Sequence, residues 1–92
     1  MSGRQEAEKE LDDLEAEYRY WLVEAIKLGR EIDELEKRID RHEAAGELDE
    51  AQAGEFREHL RRAHERQQVM EGTIQGIRRK LDELRERLRL LR

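Results

Sequence analysis

Apolar residues in the first half of the chain fall at Leu11, Leu14, Tyr18, Trp21, Ala25, Leu28, Ile32, Leu35 and Ile39, with steps of three and four alternating without a break. That spacing places all of them on one stripe of an α-helix, and the strict alternation is the heptad signature of a coiled coil. With Leu11 at position a, the a positions read Leu, Tyr, Ala, Ile, Ile, and the d positions read Leu, Trp, Leu, Leu and His42. The second half repeats the pattern at Ala53, Phe56, Leu60, Ala63, Gln67, Met70, Ile74, Ile77, Leu81, Leu84, Leu88 and Leu91.

The one break lies at Ala44-Ala45-Gly46-Glu47-Leu48-Asp49. Gly46 suits the left-handed position that ends a helix, and Asp49 followed by Gln52 makes a capping box that starts another. Ser2 and Gln5 make a similar box at the N-terminus. The expectation is a single domain: a helix over about 4–44, a turn over about 45–48 and a helix over about 49–91. Each helix of about 40 residues extends about 60 Å at 1.5 Å per residue.

The two seams fit one another as an antiparallel hairpin. Pairs whose residue numbers sum to 95 run from Leu11 with Leu84 through Tyr18 with Ile77, Trp21 with Ile74 and Ile32 with Ala63 to His42 with Ala53, an a position facing a d position in every layer. Charge supports the same register. Residues 1–50 carry 17 acidic and 8 basic side chains, and residues 51–92 carry 7 acidic and 11 basic. Exposed pairs contribute only about 0–1 kcal/mol each, yet together they select one alignment over slipped ones. The fold class expected is therefore all-α, an antiparallel two-helix coiled-coil hairpin.

A lone hairpin does not bury everything apolar. Tyr20, Leu22, Val23 and Ile26 stand outside the a/d seam around Trp21, and at the same height on the second helix come Val69, Gly72, Thr73 and Gly76. Glycine inside a helix costs about 1 kcal/mol relative to alanine, and small residues there let another helix approach. These nine residues are the candidate partner-binding surface, and dimerisation into a four-helix assembly, docking of another protein, or both, is the expected use. Leu22 and Ile26 flank one edge of the seam and Val69 and Gly76 the other, so one flat face is not assured. At the open end the same register leaves Leu88 and Leu91 facing only Ala7 and Arg4, as though this end met a neighbouring molecule or continued a longer rod.

Composition narrows the chemistry. The chain is 47% charged and 36% hydrophobic, with no Pro and no Cys. A broad core is excluded, a narrow seam is not, and disulfides, thiolate metal sites and cysteine nucleophiles are absent. No run approaches the roughly 18 apolar residues that cross a bilayer, and the polar start is unlike a secretory signal, so a soluble cytoplasmic protein is expected. His42, His59 and His64 lack an acidic residue three positions earlier, which removes the Glu-x-x-His signature of di-iron bundles, and Glu55 with His59 reads as a solvated surface pair. Ser2 and Thr73 are the only aliphatic alcohols, and no glycine-rich phosphate loop occurs. A non-enzyme without cofactor, metal or small-molecule substrate follows. Basic residues over 78–92 face an acidic partner helix, which argues for internal neutralisation rather than nucleic-acid or membrane binding.

The run from Glu65 to Leu81, with Glu65-Arg66-Gln67, Glu71-Gly72 and Ile74-Gln75-Gly76-Ile77-Arg78-Arg79-Lys80-Leu81, resembles the second helix of the N-terminal coiled coil of Gre-type transcript cleavage factors. The turn Gly46-Glu47-Leu48-Asp49-Glu50 is similar to that family's acidic tip. The resemblance implies a binder of the RNA polymerase secondary channel, with Glu47 and Glu50 as the carboxylates that help hold a catalytic Mg²⁺. It covers about a quarter of the chain; the stretch from tip to matching segment is about one heptad longer, and the family's globular C-terminal domain has no counterpart.

Overall fold

A computed structural model describes residues 3–91. Helix α1 runs from Gly3 to Ala44 and helix α2 from Glu50 to Leu90, and no strand occurs among the described residues. The two pack along a rod of 67 × 16 × 15 Å. Ser2, half of the expected N-terminal capping box, lies outside the described residues.

Helix α1 ends in a Schellman turn. Gly46 takes φ +68°, its N–H donates to the Glu43 carbonyl at 3.1 Å, and the Glu47 N–H donates to the His42 carbonyl at 2.9 Å. A side chain at Gly46 would be strained by that positive φ, although the space around it is open. Helix α2 opens on the capping box: the Gln52 N–H donates to Asp49 Oδ1 at 2.8 Å and the Asp49 N–H to Gln52 Oε1 at 3.3 Å. Such a cap contributes about 1 kcal/mol. Asp49 is thus the residue before the helix rather than its first.

Ion pairs between the helices report the register. Arg85 lies 3.7 Å from Glu15 and His64 3.8 Å from Glu36, both joining e positions, whereas Arg66 lies 3.7 Å from Glu31, joining g positions. Pairing e with e and g with g is what antiparallel heptads require when a faces d. Ile32 and Ala63, a pair in the register read from sequence, share a buried cluster with Leu28, and Leu60 and Met70 pack against it. These charges are exposed and contribute about 0–1 kcal/mol per pair, so packing carries the stability.

Burial along the seam is uneven. Leu28, Ile32, Leu35 and Ala63 are buried toward the tip, and Ala7, Ile77, Leu81 and Leu84 toward the open end. Between them Trp21, Ala25, Met70 and Ile74 are only half-buried. The open end departs from the sequence expectation, because Ala7 is fully buried and Leu88 half-buried. Alanine is small enough for the helices to close over it, so the seam runs one layer farther than Leu11 and Leu84, and only Leu90 and Leu91 stay exposed.

One surface cluster on α2 has a clear electrostatic signature. Arg61 and then Arg62 bond the Glu58 carboxylate and hold its pKa at about 2, below the usual carboxylate range. A lowered folded pKa contributes stability above the ordinary value, lost as pH falls toward 2. Carboxyl-carbon NMR of the folded chain is expected to show Glu58 still ionised well below the ordinary glutamate value of 4.5. A midpoint near 4.5 would remove this pairing.

Candidate functional site

The surplus apolar residues sit at mid-rod, where the seam residues Trp21, Ala25, Met70 and Ile74 are half-buried. Exposures there are 57% for Tyr20, 37% for Leu22, 50% for Val23, 57% for Ile26 and 69% for Val69. Isolated exposed apolar side chains are ordinary, but five at one height of the rod form an apolar belt that spans both edges of the seam. Helical periodicity explains it. Tyr18, Trp21 and Ala25 keep the seam, and the apolar run from Tyr20 to Ile26 fills the positions between and turns apolar character round the helix.

The structure divides the nine residues read from sequence. Tyr20 meets Trp21 edge to face, with ring centroids 5.3 Å apart and planes at 81°. Trp21, Met70, Val69, Arg62, Glu65 and Arg66 line one shallow groove. Thr73 and Gly76 continue it by heptad position, on the edge that the Glu31–Arg66 pair marks. The Thr73 hydroxyl donates to the Val69 carbonyl at 3.0 Å, so it is satisfied within its own helix. Gly72 and Gly76 have nothing within 4 Å of an added Cβ, and neither has a positive φ. The hairpin itself therefore gives neither glycine a reason.

Leu22 and Ile26 are not brought to that groove. Leu22 shares position e with Glu15 and Glu36, whose pairs with Arg85 and His64 mark the opposite edge, and Ile26 and Val23 lie farther round the same side. Met70 is the groove residue that the surplus-apolar reading left out. As a d-position residue it belongs to the seam by spacing, and its half-burial beside Trp21 opens it to the groove as well.

At the tip, Glu47 and Glu50 are exposed, and no cluster of three or more metal-ligating side chains occurs among the described residues. Glu47 is engaged locally, its Oε2 lying 2.9 Å from His42 Nδ1. His42 also stacks on Phe56, ring centroids 6.0 Å apart, rather than simply facing Ala53. Side chains lean toward the N-terminus of their own helix, so His42 and Phe56 lean toward one another.

No helix among the described residues is long and apolar enough to cross a membrane. Compared with known protein families, curated proteins and solved structures, the chain has no match.

Proposed function

We propose that this chain is a non-enzymatic coiled-coil module for protein–protein interaction, structural or adaptor in role, that works in the cytoplasm and self-associates into a four-helix assembly. The observation that carries the reading is the mid-rod belt, where Trp21 is half-buried and apolar side chains lie exposed on both edges. Buried aromatic anchors concentrate binding energy at interfaces, and Trp21 with Tyr20 supplies such an anchor. Emission from Trp21, the single tryptophan, tests it. Dilution is expected to shift the emission to the red while helicity persists, and a spectrum independent of concentration speaks against association through this belt.

A second reading follows the Gre resemblance: a polymerase-channel binder with Glu47 and Glu50 at its point. The observation in its favour is an exposed pair of carboxylates at one end of a rod 67 Å long. In an assay with stalled polymerase and Mg²⁺, stimulated RNA cleavage that Glu47→Ala with Glu50→Ala abolishes is the outcome this reading requires. No cleavage by the unaltered chain disposes of it.

A further inference from the structure

The groove edge and the edge carrying Leu22 differ in one respect that decides what each can take. On the groove edge both helices contribute apolar or small groups, Tyr20 and Trp21 from α1 and Val69, Thr73 and Gly76 from α2. On the opposite edge only α1 is apolar, since position e of α2 at that height is Glu71. A surface that must match a copy of itself needs both halves of the complement, and only the groove edge has them.

Resting on the self-association proposed above, we infer that a second copy docks on the groove edge with its two-fold axis parallel to the rod, so that α1 of each chain lies against α2 of the other and both tips point the same way. The apolar belt alone does not choose this arrangement, because it lies at the middle of both helices and two rods would overlap fully whether parallel or reversed. Charge chooses. Along this edge position g gives α1 Glu10, Glu17, Glu24, Glu31 and Arg38, and gives α2 His59, Arg66, Lys80 and Arg87, so α1 is mainly acidic and α2 basic. In the parallel arrangement Glu17 meets Lys80 of the copy and Glu31 meets Arg66, while Tyr20 comes level with Gly76, where a side chain has open space. In the reversed arrangement α1 lies on α1, and although Glu10 faces Arg38 of the copy, Glu17 faces Glu31, Glu24 faces its own counterpart, and Arg62 comes level with Lys80. Like charges placed opposite one another disfavour that pairing. Among the described residues Glu17 and Lys80 hold no ion pair within the chain, so both are open to the copy. The area suffices: an edge 67 Å by 15 Å offers roughly 1,000 Å², against about 800 Å² per partner in a standard interface.

The experiment labels the tip. The chain has no Cys, so Ala51→Cys, at an exposed position in the first turn of α2, carries one spin label per chain. Pulsed electron resonance at concentrations where the mass is that of a dimer is expected to give a label separation of about two rod widths, roughly 30 Å. A dimer with labels separated by about the 67 Å rod length overturns the parallel geometry and leaves self-association standing. A monomer at every concentration overturns both. Two substitutions locate the edge: Gly76→Glu, which the hairpin has room for, is expected to weaken the dimer at least about tenfold with helicity kept, and Ile26→Glu to leave its mass unchanged. The reverse result assigns the interface to the other edge.

Discussion

Leu81→Ala is expected to lower the stability of the chain by about 3 kcal/mol and to melt both helices together. Leu81 is the largest fully buried side chain, 2% exposed. Removing its three carbons loses their transfer free energy and leaves a gap that straight helices close only in part. Nothing on the far side compensates, since a two-helix seam is one layer thick and the charged pairs across it are exposed. Denaturant unfolding followed by circular dichroism, compared with Val69→Ala at an exposed position, checks the claim. The control is expected to move by less than about 0.5 kcal/mol in the monomer. If the two variants lose similar stability, the seam is not where the free energy resides.

Replacing Gly72 and Gly76 together by alanine is expected to act in two opposite directions. Both sit within α2 with open space where a Cβ would go, so each exchange removes about 1 kcal/mol of helix cost and the single hairpin gains about 2 kcal/mol. At the same time the methyl group at Gly76 enters the surface that the copy approaches, and the dimer dissociates at lower dilution, whereas Gly72, at the outer position f, contributes to helix stability alone. Unfolding curves taken below and above the association midpoint separate the effects. A gain in hairpin stability with unchanged association would mean that Gly76 serves no interface, and a loss of hairpin stability would contradict the open space around both glycines.

Much of the hairpin could be read from residue order because it rests on local rules. Alternating steps of three and four gave the seam, Gly46 gave the left-handed turn, and Asp49 with Gln52 gave the cap, each a matter of neighbours in sequence. The mid-rod surplus was visible for the same reason, as apolar residues off the stripe. Three features depended on where the second helix passes. Ala7 is a d position too small to extend the apolar stripe by itself, yet it is fully buried, with Leu88 half-buried in the same layer. His42, which the register sets opposite Ala53, stacks on Phe56 because side-chain lean joins residues in adjacent layers, and it also contacts Glu47. The division of the apolar patch between two edges became definite only when the Glu31–Arg66 and Glu15–Arg85 pairs fixed which edge was which.

Self-association of an otherwise complete hairpin is what the functional reading requires, and mass in solution decides it. Sedimentation equilibrium of the purified chain, from micromolar to submillimolar concentration, is expected to give twice the 11.1 kDa of the single chain at the upper end, with a reversible decline on dilution. A mass of 11.1 kDa at every concentration would contradict it.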